Sequence, residues 1–186
     1  MERLFTRTNI VVVLLLLFLC AGQAQAAPGR DPYAYFFNET WGDFSEELKT
    51  ARAQGKKGIL LFFEMEECPF CHRMKTTVLN QPPVQEYFRK HFLSFSVDIE
   101  GDVEMTDFQG QKMPQKDFAF KINRVRVTPV FAFYDLEGKQ IARYTGATSS
   151  IEEFMWLGEF VEKGFYKKMR FTKYKRQKTK AAQQVK

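Results

Sequence analysis

The sequence predicts an α/β fold: a central mixed sheet with helices on both of its faces. Three observations carry this. Gly58–Phe63 is a continuous apolar run bounded by polar residues, as in a strand covered on both sides. Val130–Tyr134 and Gln140–Tyr144 flank the turn Asp135–Gly138 and read as a hairpin. After Ser149 or Ser150, which caps a helix, Phe154, Leu157 and Val161 recur at helical spacing. Strands that alternate with helices and end in a hairpin give such a sheet.

Taken in order, Arg3 and Arg7 precede an apolar run of twelve residues, Ile10–Ala21, and Ala24-Gln25-Ala26 has the small residues of a cleavage site. Residues 1–26 therefore read as a secretory signal, which places the protein in the periplasm. The run is shorter than the roughly 18 residues of a comfortable span, so a retained inner-membrane anchor is the second reading. About 160 residues remain, enough for one domain and too few for two. Residues 27–42 form a lead-in segment, 43–166 the domain and 167–186 a tail.

Asp43 with Glu46 opens a helix to Gln54, the acid returning to the cap, and Gly55 suits the left-handed position after it. Pro69 opens a helix continuing to Leu79, Pro82-Pro83 breaks the chain, and Val84–His91 is a further helical piece. Leu93–Ile99 alternates as a half-buried strand does. Glu100–Met113 reads as an insertion loop. Gln115–Ile122 is a short helix with Phe118 and Ile122 on one face. Gly146 ends the last strand.

The net charge of +6 is uneven: residues 27–166 hold 17 basic and 21 acidic residues, while 167–186 hold nine basic and none acidic. Such a run reads as a solvated tail, open to an acidic protein partner or an anionic membrane surface. Export argues against nucleic acid.

Signal removal takes Cys20 away and leaves Cys68 and Cys71, separated by Pro69-Phe70. An exported domain with no other cysteine has no disulfide framework, so the pair points to chemistry. It stands after a buried strand at the first turn of a helix, where unsatisfied N–H groups and the helix dipole stabilise a thiolate. Cys68 then attacks a protein disulfide, and Cys71, three residues on, resolves the mixed disulfide. Phe70 offers an aromatic rim to a protein substrate, and Thr128-Pro129 heads a strand. Glu64, Glu66 and Glu67 oppose thiolate formation if close, and otherwise are exposed loop charges.

These residues together resemble the thioredoxin superfamily over about Asp43–Tyr166. Within it, Leu61–Glu64, Cys68-Pro-Phe-Cys71, Val103–Phe108 and Arg126–Pro129 are similar to the SoxW-like periplasmic thioredoxins of sulfur-oxidising bacteria. The resemblance implies that Thr128-Pro129 is a cis pair offering backbone to the substrate. It also implies reduction by a membrane thiol transporter and service to a sulfur-carrier protein. Pro69-Phe70 replaces the Gly-Pro of thioredoxins proper, and Phe62 stands where they have a buried Asp. Both departures bear on the potential and the proton path, so an oxidase or isomerase of the same fold is an alternative.

Cys68-Pro-Phe-Cys71-His72 also matches c-type haem attachment, with Met105 or Met113 as a distal ligand. A sandwiched sheet beside the motif leaves no room for haem. His72 and His91 miss the second ligand pair of a zinc site. The expectation is no metal and no cofactor beyond the redox-active disulfide.

Overall fold

The computed structural model describes residues 28–184, so the predicted signal lies outside the described residues. The elements are α1 (Pro32–Tyr35), α2 (Phe44–Ala53), β1 (Gly58–Glu64), α3 (Pro69–Thr77), α4 (Pro82–His91), β2 (Phe92–Asp98), β3 (Glu104–Thr106), β4 (Lys112–Pro114), α5 (Gln115–Asp117), β5 (Val130–Tyr134), β6 (Gln140–Thr145), α6 (Ile151–Glu162) and α7 (Phe171–Gln184). The main sheet has the order β2-β1-β5-β6, with β1 parallel to β2 and antiparallel to β5. This is the mixed sheet predicted. Among the described residues, no helix is long and apolar enough to cross a membrane.

All of β1 is buried, and its alternation divides the core. Ile59, Leu61 and Phe63 pack with Phe44, Phe95 and Phe118 on one face; Leu60 and Phe62 pack with Cys71, Met74, Phe88 and Phe154 on the other. Glycine at 158 lets α6 lie against α4, because a Cβ there would approach the Phe88 and Tyr87 rings to 2.8 Å.

Several expectations are corrected. Asp43 caps α2 by accepting from the Ser45 and Glu46 N–H groups, but the Glu46 carboxylate pairs with Lys49 instead of returning to the cap. The break between α3 and α4 is present, but α4 begins at Pro82 rather than Val84, since proline fits the first turn of a helix. β2 is almost wholly buried, not half-buried. Its outer edge is covered by the lead-in segment, whose Asn38 donates to the Ser94 carbonyl (2.7 Å) and accepts from the Ser94 N–H (2.9 Å). The insertion is not a plain loop: β3 and β4 pair as a ribbon, and Met105 and Phe108 anchor it in the core.

α5 runs into a π-helix over Phe118–Ile122. Phe118 is buried while Ile122 is half exposed, so the predicted pair does not share the core face. The tail is corrected most. Over 171–184 it is α7, whose Tyr174 is buried against the Phe160 and Phe165 rings. Lys175 and Lys178 pair with Glu153 and Glu159 of α6. Residues of this segment outside the docking face remain a cationic surface, with Lys167, Lys168, Arg170, Lys173, Arg176 and Lys180 all exposed.

Candidate active site

β1 delivers the chain to a short loop, and Cys68 then caps α3 in extended conformation, φ −117° and ψ 99°. The Cys68 sulfur accepts the Cys71 N–H at 3.1 Å, while Pro69 fills the first helical position without needing an acceptor. Cys68 and Cys71 are joined as a disulfide, with Cα atoms 5.2 Å apart. Cys68 is 5 % exposed and Cys71 1 %, so Cys68 is the less deeply buried residue of the pair.

Thr128–Pro129 is a cis peptide at the head of β5, as the resemblance implied. The register pairs Phe63 with Val130, which brings Pro129 to the end of the sheet from which the redox loop departs. A third segment joins them. The Gly146 N–H donates to the Pro129 carbonyl (2.8 Å), and Arg73 of α3 donates to the Thr148 carbonyl (3.1 Å). The Thr148 hydroxyl lies against the Met74 sulfur (3.7 Å). Redox loop, cis-proline loop and 146–150 loop are thus one hydrogen-bonded unit.

Apolar side chains are exposed on these segments, interspersed with the exposed charges Glu66, Glu67, Arg73 and Arg126. Phe70 is 60 % exposed and carries the Arg73 guanidinium over its ring; Val127, just before the cis pair, is 59 % exposed. Phe120 lies beneath Arg126, 3.4 Å from ring centroid to guanidinium carbon. Pro69 is likewise exposed.

The acidic residues divide. Glu66 and Glu67 are exposed loop charges, but Glu64 is buried. Its carboxylate accepts from the Tyr33 hydroxyl (3.0 Å), the Lys75 ammonium (2.6 Å) and the Ser96 hydroxyl. Burial alone would lower the Lys75 ammonium; its hydrogen bonds to Glu64 and Tyr33 outweigh this and hold it above the usual lysine value. Burial chiefly, with Glu64 nearby, raises the Tyr33 phenol. Sequence reasoning missed Tyr33, Arg73, Lys75 and Thr148. Only Lys75 left a signal: it stands four residues after Cys71, on the same side of a helix.

The haem reading finds no geometric support. Met105 and Met113 belong to the cluster on the opposite sheet face from Cys68 and Cys71. His91 packs its ring, tilted, against Tyr87 at the end of α4. Among the described residues, no three His, Cys, Asp or Glu side chains are grouped to hold a metal.

A mixed sheet, a Cys-x-x-Cys disulfide capping a helix and a cis-proline beside it define a thiol–disulfide oxidoreductase of thioredoxin fold. The chain belongs to the thioredoxin-like domain family, whose profile matches residues 44–162. It is similar to a thioredoxin-fold protein from Helicobacter pylori, at 25 % identity over 68 % of this chain and 87 % of that one, TM-score 0.56. A thioredoxin from Thermus thermophilus matches at 25 % identity over the same shares, TM-score 0.52. The DsbH oxidoreductase shares the fold at 21 % identity, covering 77 % of this chain and 96 % of that one, TM-score 0.53. No curated protein matches.

Proposed function

We propose that the chain is an exported dithiol reductase of protein disulfides, with Cys68 attacking and Cys71 resolving. The observation that carries this is the position of Cys68: it caps α3, its sulfur accepts a backbone N–H, and it is the more exposed of the pair. A thiolate at that position gains the same hydrogen bond and the positive end of the helix dipole. In the reduced protein the Cys68 thiolate attacks a substrate disulfide, forming a mixed disulfide and expelling one substrate thiolate. Cys71, losing its proton, attacks the Cys68 sulfur and expels the second. Two electrons pass to the substrate, and the Cys68–Cys71 disulfide awaits an external dithiol donor. Thr128 and Pro129 offer backbone to the substrate, and Pro69, Phe70 and Val127 supply its apolar seat.

The signal-like segment and the SoxW-like stretches support periplasmic location, a membrane thiol transporter as donor and a sulfur-carrier protein as substrate. The exposed cations of α7 support contact with an acidic partner or membrane surface, which rising salt would weaken. The test is partner trapping. Cys71→Ser arrests the mixed disulfide on Cys68 and captures the substrate covalently, and Cys68→Ser captures nothing and abolishes reduction. Activity surviving Cys68→Ser overturns the mechanism. A reduction potential near −270 mV supports reduction, whereas one near −120 mV makes the protein an oxidase.

A further inference from the structure

Alternation along β1 puts Glu64 on the same side as Leu60 and Phe62, the side whose core contains Cys68 and Cys71. Lys75 lies one turn beyond Cys71 on α3 and on its face. Strand end and redox helix therefore aim a carboxylate and an ammonium at each other beneath the motif. The ion pair is 2.6 Å long, with Lys75 22 % and Glu64 10 % exposed at the side chain. Tyr33 closes it from the lead-in segment: its hydroxyl donates to Glu64 (3.0 Å) and accepts from Lys75 (2.9 Å). Ser96 of β2 donates to the same carboxylate oxygen as Tyr33. Four segments of the chain meet at one carboxylate.

Charges removed from water act on their neighbours through a low dielectric, and their fields fall off slowly there. We propose that Glu64 and Lys75, latched by Tyr33, are positioning residues that balance the electrostatic field beneath the Cys68–Cys71 thiols. Lys75 favours the thiolates and Glu64 disfavours them. While paired they nearly cancel, which leaves the N-terminus of α3 as the field that Cys68 experiences. The other charges near the pair are weaker competitors. His72, Arg73, Asp31, Glu66, Glu67 and Asp98 are exposed and Arg30 is half-buried, so water and salt screen them. The assignment rests on the reading of Cys68 and Cys71 as a working redox pair.

Unbalancing the pair from its two ends gives opposite effects, which a purely structural role does not. Coulomb's law for a unit charge on the order of 10 Å away, at an effective dielectric of about 20–40, gives roughly 0.6 to 1.2 pH units, about four- to sixteenfold in thiolate fraction. The experiment follows iodoacetamide alkylation of reduced full-length protein against pH. Peptide mass spectrometry reads Cys68 separately from Cys20. Glu64→Gln leaves the ammonium alone and is expected to move the Cys68 profile down by that amount. Lys75→Met leaves the carboxylate and moves it up, and Lys75→Arg restores the wild-type profile. Shifts in the same direction from both ends, or none in a variant that keeps its circular dichroism, overturn the proposal. If Lys75→Met does not fold, Glu64→Gln with Lys75→Arg decides it alone: a lowered profile in the first and an unchanged one in the second uphold it, and any other pair of results overturns it. The alkylation needs no substrate. A wild-type protein that reduces no protein disulfide therefore overturns the functional reading, and the opposite shifts still stand for the electrostatic one.

Discussion

Replacing Tyr174 by alanine removes the residue that fixes α7 to the body. Tyr174 is 5 % exposed and its ring meets Phe160 and Phe165 at centroid distances of 5.5 and 4.9 Å. Burying a ring of about 150 Å² at about 25 cal/mol per Å² is worth roughly 4 kcal/mol. Alanine keeps a little of that area, and Phe160 and Phe165 can close part of the gap. The expected loss is about 2–4 kcal/mol. The loss falls first on α7, because a terminal helix can open without the sheet. Hydrogen exchange resolved by segment checks this. Amides of 171–184 should exchange at least tenfold faster in the variant, while β1 and β5 change little. Tyr174→Phe keeps the ring and should cost under about 1 kcal/mol. A helix equally protected in Tyr174→Ala and wild type would refute the docking argument, and with it the correction to the solvated tail.

Gly158→Ala should destabilise by about 1–3 kcal/mol in urea denaturation, because the new methyl meets the Phe88 and Tyr87 rings; an unchanged midpoint would show that these rings give way. Acid should weaken the same region. Burial alone would raise the Glu159 carboxyl, but hydrogen bonds from Lys163, Lys178 and Tyr174 bring it down to about 2. Its folded value is depressed, so its contribution is present above the ordinary carboxylate value near 4.3 and lost as pH falls from there towards about 2. Discounted for the exposed Lys163, this is about 1–2 kcal/mol. Urea midpoints taken from pH 6 to 2 should fall across that window, and less steeply in Glu159→Gln.

The sheet was legible because β1 and β5 are buried on both faces, and a strand covered on both faces is written as an unbroken apolar run. The redox pair was legible because its chemistry needs two cysteines at one fixed spacing. What escaped depends on partners distant in sequence. Nothing around Glu64 tells that Tyr33, 31 residues earlier, and Ser96, 32 later, complete its hydrogen bonds. A cluster of nine cations without an acid reads as solvated, because the two acids that hold α7 sit on α6. The π-helix was invisible for another reason. A helical pattern assumes 3.6 residues per turn, and nothing in the residues Phe118–Ile122 marks the wider turn they adopt.

α7 and the disulfide are joined by a continuous chain of contacts. Lys175 pairs with Glu153, which is buried and accepts from the Ser149 N–H (2.9 Å) and the Tyr144 hydroxyl (3.1 Å). Ser149 follows Thr148, whose carbonyl receives Arg73 from the redox helix. Burial would raise the Glu153 carboxyl, yet the hydrogen bonds from Lys175, Ser149 and Tyr144 hold it below its ordinary value, so it stays charged and keeps its partners. Contiguity alone is not coupling; the 146–150 loop must respond to both ends. A double-mutant cycle decides this. Lys175→Met and Arg73→Met, singly and together, are assayed for the rate of substrate disulfide reduction. If the loop transmits the docking of α7 to α3, the double variant departs from additivity by about 0.5–3 kcal/mol. Additivity within about 0.3 kcal/mol would mean that the basic helix and the redox helix act independently, each held by Glu153 or Thr148 for its own sake.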